Sequence, residues 1–94
     1  MDAEKKQQLA SDLAQAVGMQ IKLRRKELKM TIEEVAQSTG MTLAAISRIE
    51  QGKSDVKMST LAVLRSALGF EISISKISVP AEGIEAMEYE PEEQ

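Results

Sequence analysis

The sequence predicts a small, mainly α-helical domain that ends in one β-strand. Three observations carry this reading. Apolar residues recur at three- and four-residue intervals up to Leu68, glycines at 40, 52 and 69 cut that periodicity into short segments, and the period changes to two after Gly69. A chain of 94 residues holds one small domain with tails.

Leu9, Leu13, Ala16, Val17, Ile21 and Leu28 lay an apolar stripe along a first helix from about Lys5 to Leu28. Gly18 sits inside it, where glycine costs about 1 kcal/mol, and marks either a close packing point or a break between two helices. Cations from Lys22 to Lys29 suit the negative end of the helix dipole. Thr31-Ile32-Glu33-Glu34 is a capping box, and it opens a short helix with Val35 and Ala36 as apolar positions. Gly40 fits the residue after a helix end, with positive φ. Thr42 opens a third helix, about Leu43 to Gln51, with Leu43, Ile46 and Ile49 apolar and Gly52 as its stop. After a loop over Lys53 to Met58, Ser59 or Thr60 caps a fourth helix carrying Leu61, Leu64, Ala67 and Leu68, which Gly69 ends.

Phe70, Ile72 and Ile74 then alternate with Glu71, Ser73 and Ser75, a strand pattern. The phase slips at Lys76, because Ile77 and Val79 follow, which fits a bulge or a strand end. Pro80 closes the segment, and the Glu-rich stretch from Ala81 to Gln94 reads as disordered. The predicted organisation is residues 1–16 as an extension of the first helix, 17–69 as the helical domain, 70–79 as the strand and 80–94 as an acidic tail.

Composition removes most enzyme chemistry. There is no histidine and no cysteine, so the common general base, thiolate nucleophiles and the usual zinc ligands are missing. Ser47 and Ser59 have no imidazole to activate them, and no phosphate-binding glycine loop is present. No catalytic residue, metal or cofactor is expected. The polar N-terminus lacks an apolar core of a signal peptide and no apolar run is long enough to span a bilayer, so a cytoplasmic location without membrane contact is expected. The net charge of −3 hides an asymmetry. Val17 to Phe70 carries nine basic residues against five acidic ones, a local +4, whereas the last fifteen residues carry six glutamates and no base. A basic middle is compatible with a nucleic-acid partner.

Two short helices joined by a tight turn at Gly40 describe a helix-turn-helix. The exposed N–H groups that open its second helix suit phosphate, and an α-helix fits the major groove. On spacing alone, a helical hairpin inside a bundle fits equally well.

The residues add a resemblance. Val17-Gly18, Ile21, Arg25, Met30-Thr31, Glu33-Glu34-Val35-Ala36, Gly40-Met41-Thr42, Ile46 to Lys53 and Leu61 through Leu68-Gly69 together resemble the Cro/cI-type (XRE) helix-turn-helix family. The resemblance implies a four-to-five-helix, lambda-repressor-like DNA-binding domain whose third helix reads bases in double-stranded DNA. Carried over residue by residue, it implies an ion pair between Arg25 and Glu50. It also implies phosphate contacts at Thr31, Thr42, Gln51 and Lys53, and base reading at Leu43, Ala44, Ser47 and Arg48. Two departures stand out. Ile32 occupies a position where the family often has Gln, and the reading positions Leu43-Ala44-Ala45 are apolar. Only Arg48 among them can make a bidentate contact to guanine, while Leu43 and Ala44 suit thymine methyl groups. The apolar run equally suits a protein-interaction surface.

A lone strand leaves backbone groups open, so Phe70, Ile72 and Ile74 are expected to pair with a second copy in a homodimer; the alternative is an extended tail packed on the chain's own helices. A dimer suits a palindromic operator with half-sites about 34 Å apart. Helix-turn-helix followed by a dimerising strand is also similar to HipB-like antitoxins. That likeness implies an autoregulating antitoxin with a HipA-type kinase or other toxin as partner; a plain phage-type or stand-alone regulator is the alternative. The acidic tail fits a solubilising segment, a toxin-binding segment with Met87 and Tyr89 as anchors, or a competitor of DNA for the basic face.

Overall fold

A computed structural model of the chain describes residues 1–74 and 77–79. Four helices and two short strands follow in order: α1 (Ala3–Glu27), α2 (Ile32–Thr39), α3 (Leu43–Glu50), α4 (Met58–Leu68), β1 (Ile72–Ile74) and β2 (Ile77–Val79). Ile21 of α1, Val35 and Ala36 of α2, Ile46 and Ile49 of α3, and Leu64 and Leu68 of α4 make one buried core. Val17, Met30, Ile32, Met41, Val56, Leu61 and Phe70 pack around it, half-buried.

Local chemistry sets the helix ends. Asp2 caps α1 by accepting the Lys5 N–H at 2.8 Å. At the other end the Lys29 N–H donates to the Lys26 carbonyl at 2.9 Å and the Met30 N–H to the Arg25 carbonyl at 3.1 Å, a Schellman closure. Its left-handed residue is Lys29, with φ 57°, where glycine is usual. The same closure ends α3 through Gly52 and Lys53, bonded to the carbonyls of Ile49 and Arg48 at 3.0 and 2.9 Å.

α1 runs unbroken through Gly18, and packing explains why a glycine is there. A methyl group at Gly18 would collide with the Ile49 carbonyl oxygen and come within 3.1 Å of the Glu50 carbonyl oxygen. Gly52 answers from the other side, since a Cβ there would meet the Gln15 Cα at 2.7 Å. α1 and the end of α3 therefore touch backbone to backbone, so the close-packing reading of Gly18 holds and the break does not.

The structure corrects three sequence readings. Leu9, Leu13 and Leu28 are exposed, because the body packs on the face of α1 that carries Gly18, Ile21 and Arg25. The apolar stripe read from the sequence merges that face with another one. α4 begins at Met58 rather than after Ser59 or Thr60; its cap is extended Lys57, which makes no side-chain cap bond, so no capping residue announces the start. The segment read as one strand is two. β1 and β2 pair with each other, antiparallel, with Ile72 opposite Val79 and Ile74 opposite Ile77. The phase slip in the sequence marks the division between them. The acidic tail from Pro80 lies outside the described residues.

Gly18→Ala tests the backbone contact. Helix propensity favours alanine by about 1 kcal/mol, whereas overpacking against a fixed main chain costs about 1–3 kcal/mol. Because the clash is with carbonyl groups that cannot rotate away, net destabilisation is expected, seen as a lower urea midpoint at unchanged slope.

Candidate nucleic-acid interface

The site is built on α2 and α3. Thr31 caps α2 reciprocally: its hydroxyl accepts the Glu34 N–H at 3.1 Å, and the Glu34 carboxylate accepts the Thr31 N–H at 3.0 Å. Gly40, left-handed at φ 73°, ends α2 by donating to the Ala36 carbonyl at 2.9 Å. Thr39 reinforces the turn, its hydroxyl lying 2.7 Å from the Val35 carbonyl and accepting the Met41 N–H at 3.3 Å. Thr42 then caps α3, accepting the Ala45 N–H at 3.1 Å. A cap uses that hydroxyl as acceptor only, so its proton is still available for a phosphate oxygen.

Ile46 and Ile49 turn α3 inward, and the helix period then points Ala44, Ser47, Arg48 and Gln51 outward. Arg48 is exposed and has no hydrogen-bond or ion-pair partner among the described residues. Ser47 and Gln51 are tied to one another, the Gln51 amide donating to the Ser47 hydroxyl at 2.9 Å. Leu43 lies half exposed at the start of the helix, and Ala44 is exposed beside it. Lys53, also exposed, stands just past the helix end. The surface offers one guanidinium, a small polar pair and methyl groups.

Arg25 and Glu50 lock the setting of α3. Arg25 Nε and Nη2 donate to the two Glu50 carboxylate oxygens at 2.7 and 2.9 Å, and Nη1 donates to the Met30 carbonyl at 2.9 Å. Both side chains are buried, 10% and 5% exposed. The Arg25 guanidinium holds its proton more firmly than a free arginine, chiefly through the hydrogen bonds to Glu50 and against the cost of burial. A raised arginine pKa means that Arg25's contribution is present at neutral pH and is lost as pH rises through the raised value.

The sequence does not announce the role of Arg24. Its Nε donates to the Leu68 carbonyl at 2.8 Å and Nη2 to the Gly69 carbonyl at 3.5 Å, so it closes α4 from α1. Of the residues expected at a dimer contact, Phe70 packs half-buried against the core, Ile72 shares a cleft with Val17, Ile21 and Leu61, and Ile74 lies opposite Ile77.

A capped helix, a turn through left-handed Gly40 and a second capped helix with an open outer face define a helix-turn-helix, a DNA-binding module. The helix-turn-helix family profile matches residues 21–74, and the chain belongs to that family, in its Cro/cI-type branch. It is 40% identical over 55 residues to the HTH-type transcriptional repressor RghR of Bacillus subtilis (strain 168), a match covering 57% of this chain and 41% of the relative. The chain thus spans about two-fifths of that relative's length. Among the described residues no helix is long and apolar enough to cross a membrane.

Replacing Glu50 by Ala strands a buried guanidinium and is expected to cost about 3–5 kcal/mol. Arg25→Met combined with Glu50→Leu should recover most of that loss. Thermal unfolding of the single and double variants checks both outcomes.

Proposed function

We propose that the chain is a sequence-specific transcriptional repressor that binds double-stranded DNA as a homodimer on a palindromic operator. One observation carries the reading: α3 is held from behind by Arg25 and Glu50 while its outer face, with Arg48 unpartnered among the described residues, stays open. In this reading Arg48 takes a guanine edge, Leu43 and Ala44 lie against thymine methyl groups, and Ser47 completes the base contacts. Thr31, Thr42, Gln51 and Lys53 bind the phosphates on either side. The repressor named among the relatives supports regulation of transcription. With so few polar readers, DNA shape contributes much of the specificity.

In its finer form the reading is an autoregulating antitoxin with a HipA-type kinase or other toxin as partner, with a plain phage-type or stand-alone regulator as the alternative; a two-stranded hairpin keeps an open edge on each strand, so the β1–β2 pairing is compatible with both.

Mobility-shift titration on an operator obtained by in vitro selection tests the proposal. Arg48→Ala should cost about 1–3 kcal/mol on the selected site and relax the preference at one base position. Lys53→Ala should weaken all sequences alike and lower the slope of log K against log salt by about one unit. Salt-insensitive or undetectable DNA binding would instead favour a protein-interaction module using Leu43, Ala44 and Ala45.

A further inference from the structure

α1 reaches well beyond the body it packs on. Residues 1–10 are all exposed, although the helix starts at Ala3. Short helices in water draw most of their stability from tertiary packing of an apolar face, and no described element covers this end. On the side away from Gly18, Ile21 and Arg25, Leu9, Leu13, Met19 and Leu23 are 48%, 65%, 59% and 49% exposed. Single exposed leucines are ordinary, but a continuous stripe of them marks a contact surface.

The order of residues along this stripe names its occupant. Leu9, Ala16 and Leu23 are seven residues apart and fall almost in line on the helix. Reading outward from Ala16, the line meets a leucine at seven residues in each direction, then a charge at eleven: Lys5 on one side and Glu27 on the other. Leu13 and Met19 flank the centre at three residues on either side. The pattern is palindromic in size, and its outermost pair on the line, Lys5 and Glu27, is opposite in charge.

We infer that this face pairs with the same face of a second copy, the two α1 helices running antiparallel about a two-fold axis at Ala16. Leu9 then meets Leu23 of the second copy, Lys5 meets its Glu27, and the small Ala16 lets the helices approach on the axis. Parallel pairing would set Lys5 on Lys5 and Glu27 on Glu27, so charge selects the antiparallel arrangement. Glu27 already accepts Arg24 Nη1 at 3.2 Å, and its second carboxylate oxygen remains for Lys5. The inference rests on the homodimer proposed above and places its interface on α1 rather than on the strand segment.

The chain has no cysteine, so a single introduced thiol reports cleanly. Ala16→Cys is expected to oxidise to a disulfide-linked dimer much faster than Lys26→Cys, which lies off the line on the same helix. Leu23→Asp should raise the dimer dissociation constant about a hundredfold or more. Because Leu23 is exposed in the single chain, helix content by circular dichroism should persist in this variant. Lys5→Glu and Glu27→Lys should each weaken the dimer severalfold, and together restore it. A dimer that tolerates Leu23→Asp, with no faster cross-linking at 16 than at 26, would overturn the α1 interface and leave the homodimer standing. A monomer at high micromolar concentration in sedimentation equilibrium would overturn both.

Discussion

The buried fork between Arg25 and Glu50 is the constraint on which the placement of α3 depends. Seven buried apolar side chains supply the burial that holds the helices together, but burial has no direction. A guanidinium gripping both oxygens of a carboxylate does have direction. It fixes the last residue of α3 against α1, and the third guanidinium contact, to the Met30 carbonyl, adds the start of the link to α2. A pair of well-packed apolar residues could match it in stability. What such residues would not supply is a two-point, directional tie that reinforces the setting given by buried Ile46 and Ile49, with Ala44, Ser47, Arg48 and Gln51 facing out.

Arg24 repeats the arrangement one step along. Adjacent residues on a helix point about 100° apart, so Arg24 and Arg25 address different neighbours from one turn of α1. Arg25 secures the end of α3 through a carboxylate, and Arg24 secures the end of α4 directly through its open carbonyls. α1 acts as the frame of the domain, and its main-chain contact at Gly18 gives that frame a fixed depth as well as a fixed angle.

What was legible in the sequence follows from what is local. The capping box at Thr31, the left-handed Gly40 and the cap at Thr42 use residues within a few positions of each other, and their spacing announces them. The Arg25–Glu50 contact spans half the domain and came from a family likeness rather than from spacing. Periodicity shows that α1 has apolar positions but not which of them a neighbour covers, so it does not separate Leu9 and Leu13 from the core. The Arg24 cap on α4 depends wholly on tertiary placement. The tie between Ser47 and Gln51 sits at an i, i+4 spacing, a signal present in the sequence but not decisive without the structure. Lys57 starts α4 by backbone geometry alone, so its boundary carried no side-chain mark.

The contact at Gly18 also has a mechanical consequence. Between most packed helices, side chains interlock and change rotamer to absorb small shifts. Here the backbone of one helix rests on the carbonyls of Ile49 and Glu50, so the joint has little compliance. The free end of α1 stands about 20 Å along the axis from that joint. A force applied at that end acts on α3 through a main-chain contact rather than through side chains that can repack.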